Sequence, residues 1–436
     1  MNSDTIAAIA TPSGQGGVGI IRVSGENATK IAEKISGLCP APRYAYYGTF
    51  SDKSENTIDT GLTLFFKKPF SFTGEDVVEF HAHGGPVVLD ILLKEILQHD
   101  VRPARAGEFT ERAFLNDKID LAQAEAIADL IAADSEQAAR AAMRSMQGEF
   151  SAVIHQLVED LIGLRIYVES ALDFPEEEID CLSDENLKNQ LAELNQTMKN
   201  TLRKTQTGVV LAQGISIAII GKPNAGKSSL LNCLTEEDSA IISDVAGTTR
   251  DVVKEDVVIA GIPVRLIDTA GIHETDNPIE QQGINRALKM KDQADVVLHV
   301  MDGQAPVKDQ IIQDVKYINI INKNDVLHPD NQNLDNVIHV SAKNQQGIDK
   351  VRDAIVQQVN LGKLNENTFT ARQRHIEQLK TTQAHIDEAE QQLQYNQGEL
   401  SAEELRLAQN ALNEITGEFS SDDLLGEIFS SFCIGK

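Results

Sequence analysis

The stretch from Ile215 to Leu234, ISIAIIGKPNAGKSSLLNCL, constrains this chain more than any other. A β-branched run leads into the spacing G-x-x-x-x-G-K-S at Gly221 to Ser228, and an apolar periodic run follows. A phosphate-binding loop requires that strand before it and that helix after it. In such a loop the backbone N–H groups of the helix N-terminus cradle phosphate, Lys227 neutralises the β- and γ-oxygens, and the Ser228 hydroxyl reaches Mg²⁺. Three further segments complete a nucleotide site: DTAG at Asp268 to Gly271 ends one apolar strand pattern, NKND at Asn322 to Asp325 another, and SAK at Ser341 to Lys343 follows VIHV. The Asp325 carboxylate can accept from both the N1 and 2-amino donors of guanine, a pairing adenine does not offer, so the nucleotide is read as GTP. Between the P-loop and DTAG, SDVAGTTRD occupies the place of a switch loop, where Thr249 would join Ser228 on Mg²⁺ while γ-phosphate is present. The expected nucleotide contacts are Asn224, Ala225, Gly226, Lys227, Ser228 and Ser229; Ser243, Asp244, Val245, Ala246, Gly247, Thr248 and Thr249; Asp268, Thr269, Ala270 and Gly271; Asn322, Lys323 and Asp325; and Ser341, Ala342 and Lys343. After DTAG stands Ile272, where Ras-type enzymes place a water-orienting Gln, so another group must orient the water.

Around this block the texture of the chain changes. From Thr5 to about Ala82 short apolar runs are broken by Gly and Pro and read as strands, and Pro86 to Leu97 repeats its apolar residues at helical spacing. The first segment therefore reads as an α+β domain. From Leu121 to Leu172, and from Asp184 to about Lys204, the chain is rich in Ala, Leu, Glu and Gln and reads as long helices. A second helical stretch runs from about Thr370 onward, with a capping-box pattern at Ser401 and Glu404 expected to start one of its helices. The economical organisation is a multidomain one: an α+β domain over 1–117, a helical bundle in two parts over 118–209 and 363–436, and a P-loop α/β domain over 210–362 inserted into that bundle.

The 436 residues exceed what one core usually supports, and 39 basic against 66 acidic side chains give a net charge of -27. That charge repels polyanions over most of the surface, so any RNA contact must be local or shared with a partner. Cys39, Cys181, Cys233 and Cys433 form no C-x-x-C pair, which fits reduced thiols in a cytoplasmic protein, and no apolar run reaches the ~20 residues of a membrane span. Cys433 stands fourth from the last residue, but Gly435 and Lys436 fill places where a prenylation signal wants other residues. Glu79, His81 and His83 alternate and so share one side of a strand; as a metal site they would be splayed ~7 Å apart, too wide for one ion without other elements.

The motif order, with Asn224 in the P-loop, AGTTRD in the switch, GVGIIRVSG, VVEFHAHGG and RAGEFTERAFLNDKIDLAQAEA in the first domain, and FCIGK at the end, closely resembles the MnmE (TrmE) family of tRNA-modification GTPases. The resemblance spans essentially the whole chain. It implies potassium held by Asn224, Ser243, Val245 and Thr248, and a water-orienting glutamate at Glu280, so Lys227, Asp268 and Glu280 are the expected catalytic residues. It implies a tetrahydrofolate one-carbon donor bound by Arg22, Glu79, Lys118 and Lys436 in an N-terminal homodimer, with Cys433 either a reactive thiol or part of the pocket wall. It further implies joint action with a flavoprotein of the MnmG (GidA) type, bringing FAD and NADH, to place an aminomethyl or carboxymethylaminomethyl group on C5 of the tRNA wobble uridine. The alternative from the residues is a GTP switch of the ribosome-assembly type, which calls for a basic RNA-binding appendage; the C-terminal helical segments EQQLQYNQGELSAEEL and GEFSSDDLLGE are acidic instead.

Overall fold

The computed structural model describes residues 4–173, 185–235, 254–268, 294–359, 368–418 and 422–435. The chain forms two compact units, Met1–Ala128 with Asn413–Lys436, and Asp129–Leu412.

In the first unit, β1 (Thr5–Ile9), β2 (Gly16–Ser24), α1 (Ala28–Ser36), β3 (Tyr46–Ser51), β4 (Thr57–Phe66), β5 (Val77–Gly84), α2 (Pro86–Ile96), β6 (Val101–Pro103), α3 (Glu108–Leu115) and the start of α4 (Leu121–Ile131) follow in chain order. The sheet order is β3-β4-β5-β2-β1-β6, antiparallel except for the β1–β6 pair. Two-residue alternation gives the sheet two different faces. Ile21, Val23, Val78, Phe80 and Ala82 point to a core shared with Ile31 and Ile35 of α1 and Leu92 and Ile96 of α2. Ile6 and Ala8 point the other way, toward Phe109 of α3, and Arg22, Glu79 and His81 have the alternation of that second face. Pro86 at the first turn of α2 supplies a preset φ where no intrahelical N–H is needed.

The second unit holds the helices α5 (Glu136–Met146), α6 (Glu149–Asp173) and α7 (Glu185–Gln213), the α/β block, and α10 (Gln373–Gln394) with most of α11 (Gly398–Thr416). The α/β block contains β7 (Ile215–Ile220), α8 (Lys227–Thr235), β8 (Lys254–Ile259), β9 (Ile262–Asp268), β10 (Val296–Asp302), β11 (Tyr317–Asn322), β12 (Ile338–His339) and α9 (Ile348–Gln358). Its sheet order is β12-β11-β10-β7-β9-β8, parallel except at β8–β9. A parallel sheet is covered on both faces, and accordingly Ile217, Val296, Val297, Leu298, Val300, Ile320 and Ile321 are all fully buried. Helices from before and after this block pack together: Asn195 of α7 donates to Asp387 of α10 at 3.0 Å, and Arg165 of α6 donates to Gln409 of α11 at 2.7 Å. The α/β domain is therefore inserted in a helical bundle.

Two local expectations need correction. Ser401 does not cap a helix: α11 starts at Gly398, just after Asn396 turns the chain at φ 56°, so Ser401 is buried in the first turns with its N–H bonded to Gln397 O. Glu404, the other half of that pattern, instead meets His385 Nδ1 of α10 at 2.6 Å. Helix α7 also continues through Gln213 rather than ending near Lys204. Gly208 weakens the helical pattern there, but a Cβ at that position would stand 2.4 Å from Phe369 O, so the glycine serves a close backbone approach inside the helix.

Candidate functional site

Parallel α/β sheets bind ligands beyond the carboxyl ends of their strands. Here β7 delivers the P-loop to that edge, the register pairs Asp268 with Ile219, and it pairs Asp302 with Asn322, so the DTAG and NKND segments begin at the same end of the sheet. The loop itself needs backbone that only certain residues adopt easily. Gly221, Asn224 and Gly226 have φ of 149°, 64° and 90°. A Cβ on Gly221 would stand 2.1 Å from Val300 O, and one on Gly226 would stand 2.2 Å from Asn322 Nδ2. Lys227, first residue of α8, donates its ammonium to Gly221 O at 2.8 Å and Lys222 O at 3.1 Å, which holds the cation over the loop. Ser228 and Ser229 are exposed on the first turn of the same helix.

Asn322 ties the parts together. Its side chain is buried; Nδ2 donates to Ala225 O of the P-loop at 3.0 Å, while Oδ1 accepts from Lys323 N at 2.8 Å and Ala342 N at 3.0 Å. One amide thus joins the phosphate loop, the NKND turn and the SAK turn, three segments far apart in sequence. Lys323, held at φ 64°, pairs with Asp302 at 2.6 Å. Asp325 stays exposed, with Oδ1 accepting from the Ser341 hydroxyl at 2.7 Å. That hydrogen bond, with the nearby Lys343 and Lys323 charges, holds its carboxyl below the usual range, so it is an acceptor at neutral pH. Lys343 lies exposed in the turn that follows Ser341.

The switch segment Ser243 to Thr249, the rest of DTAG at Thr269 to Gly271, Glu280 and Lys436 lie outside the described residues, as do the side chain of Asp268 and Cys181. The fold therefore brings together the P-loop, NKND and SAK residues. The potassium and water-orienting groups, Asn224 apart, are not among them.

In the first unit, the register sets Arg22 of β2 directly opposite Glu79 of β5. Arg22 Nε donates to Glu79 Oε1 at 2.9 Å, and its guanidinium lies 5.7 Å from the ring centres of both Phe72 and Phe109. His81 Nε2 lies 3.1 Å from Glu79 Oε2. Burial pushes the Glu79 carboxyl up, but the His81 hydrogen bond and the Arg22 charge outweigh it, so the group stays below its ordinary value and ionised. Lys118 donates to Pro69 O at 2.9 Å, on the loop that also carries Phe72. The final residues join this unit: Cys433 O accepts from Gly107 N at 3.4 Å, Ile434 bridges Ala106, and a Cβ on Gly435 would stand 2.2 Å from Ile9 O, one residue along β1 from Ala8, the partner of Arg22. Cys433 is a free, exposed thiol. The alternating carboxylate and imidazoles are spent otherwise than on a metal, since His83 pairs with Asp59 at 2.8 Å, and among the described residues no group of three His, Cys, Asp or Glu could hold an ion. Sequence reasoning noticed the alternation of Glu79 and His81 but missed the clamp between them, and Phe72 and Phe109 carried no signal as partners of Arg22.

These features define a P-loop GTPase type of α/β domain inserted in a two-part helical bundle, in a chain that also contains an α+β unit. Residues 5–118 match the family model described as "GTP-binding protein TrmE N-terminus", and residues 121–433 match "MnmE helical domain". The chain is 50% identical over 447 aligned positions to "tRNA modification GTPase MnmE" of Francisella tularensis subsp. holarctica (strain FTNF002-00 / FTA), and 49% identical to the protein of that name in Francisella philomiragia, covering 99% of each chain in both cases. Among solved structures it is similar to the FeoB G-domain of Methanococcus jannaschii at 23% identity, covering 34% of this chain and 98% of that one, with a TM-score of 0.24, too low to bear on the fold. The chain belongs to the MnmE family.

Proposed function

We propose that the chain is a tRNA-modification GTPase: it binds GTP in the pocket knitted by Asn322, hydrolyses it to GDP and phosphate, and uses that cycle in modifying the wobble uridine of tRNA. The observation that carries the nucleotide reading is the single amide of Asn322 bonded to the P-loop and to the SAK turn, with Asp325 presented beside them as an ionised acceptor. Asn322 and Ser341 fix the base pocket relative to the phosphates. Lys227 meets the β- and γ-phosphate charge, and Ser228 offers the hard hydroxyl oxygen that Mg²⁺ prefers. Mg²⁺ and potassium, the latter at Asn224, Ser243, Val245 and Thr248, would neutralise charge developing on the phosphates. Glu280 takes the water-orienting role that Ile272 is unable to fill.

The finer reading follows the family resemblance. Arg22, Glu79, Lys118 and Lys436 bind a tetrahydrofolate one-carbon donor in a homodimer, and a flavoprotein partner of the MnmG type supplies FAD and NADH and most of the tRNA binding. The domain edges 1–117, 118–209, 210–362 and 363–436 belong to this proposal. The pocket is tested by nucleotide competition. Asp325→Asn replaces the paired acceptor by an amide that matches the 2-oxo group of xanthine, so GTP affinity is expected to fall at least about tenfold while xanthosine triphosphate gains. Unchanged GTP preference in that variant would place the base elsewhere.

A further inference from the structure

We propose that His81 is a positioning residue of the folate site, setting the plane of the Glu79 carboxylate so that both of its oxygens can accept from the paired N–H donors of a pterin. The inference rests on the folate reading above. The two oxygens of Glu79 are anchored from opposite sides, Oε1 by Arg22 Nε at 2.9 Å and Oε2 by His81 Nε2 at 3.1 Å. A carboxylate held at one oxygen turns about its last bond, whereas one held at both has a fixed plane, and two-point recognition of adjacent N–H donors needs that plane fixed.

The sheet register shows why this duty falls to His81. The direct cross-strand neighbours of Glu79 are Arg22 on β2 and Leu64 on β4, and those of His81 are Ile20 and Leu62. The aliphatic neighbours have no polar atom to offer, so the second anchor comes from the same strand, two residues on. The Glu79 and His81 side chains are 14% and 25% exposed, which dries the clamp while leaving an opening to a ligand. Each anchored oxygen keeps a second lone pair, so the anchors fix the group without using up its capacity to accept. Among the described residues, Glu79 is the hydrogen-bond partner of the His81 ring, and the arrangement gives that contact a purpose.

The test is titration of 5-formyl-tetrahydrofolate into the full-length protein, with variants built as a cycle. His81→Leu is expected to weaken binding about tenfold, the effect of losing one hydrogen bond to a charged group. His81→Gln, whose amide can donate to the same oxygen, is expected to stay within about threefold of the unaltered protein. In a Glu79→Gln background, His81→Leu is expected to cost little more, because the residue through which it acts is already changed. A His81→Leu variant that binds as tightly as the unaltered protein, or that loses the same factor with and without Glu79, would overturn the proposal. Absence of saturable binding by the unaltered protein would remove the folate reading itself, an outcome distinct from either.

Discussion

Glu108 shows how much a single residue carries. It is 2% exposed at the start of α3, accepts from Arg102 and, at 2.8 Å, from Arg105 N, and also faces Arg112, which in turn bonds Glu75 and Asp4. Burial pushes its carboxyl up, yet the hydrogen bonds and charges of these partners bring it down to about 2. A folded value below the unfolded one means that the ionised form is held more tightly in the folded state. The stabilisation is therefore complete above the ordinary carboxylate range and is lost as pH falls from about 5 toward 2. Glu108→Gln is expected to cost roughly 2–3 kcal/mol near neutral pH and to flatten stability across that acid window. Denaturant unfolding at a series of pH values checks this, and an unchanged acid slope in the variant would contradict it.

At the scale of elements, α12 (Asp422–Ser430) and the tail after it are seated by α4, by Ala106 and Gly107 just before α3, and by the end of β1. Phe429 and Phe432 pack with Leu121 and Ala124, and Gly435 lies against Ile9 O at φ 96°. A side chain at Gly435 meets both a strained φ and backbone that is unable to give way. Gly435→Ala is expected to lift the last residues and weaken 5-formyl-tetrahydrofolate binding about tenfold, a loss of ~1.4 kcal/mol, while the unit stays folded. Equal affinity in the variant would separate the tail from the site. Elements were legible where one signal dominated: Pro86 and the periodic run after it gave α2, and GKPNAGKS gave the turn between β7 and α8. They were misread where tertiary contact decided. Ser401 and Glu404 have the spacing of a cap, but the turn at Asn396 starts the helix earlier, and α7 runs on past Lys204 through Gly208, where Phe369 O comes close. The pairing of Arg22 with Glu79 depends on strand register, which local sequence does not encode.

For the whole molecule, the net charge of -27 leaves little sequence-independent attraction for RNA, which is why the proposal assigns most of the tRNA contact to a partner. What the chain must then do by itself is turn over GTP. In the proposed reading Lys227 and Ser228 serve the phosphates and Asp325 the base, and because the residue after DTAG offers no polar atom, that reading has turnover draw on a cation near Asn224 and on Glu280. The most direct measurement is single-turnover GTP hydrolysis by the full-length protein in potassium and in sodium, with Glu280→Gln alongside. The account predicts hydrolysis at least about tenfold faster in potassium, and a variant that binds GTP normally but turns it over at least about a hundredfold more slowly. Bound GTP hydrolysed at one rate in both salts, or at full rate by the variant, would contradict it.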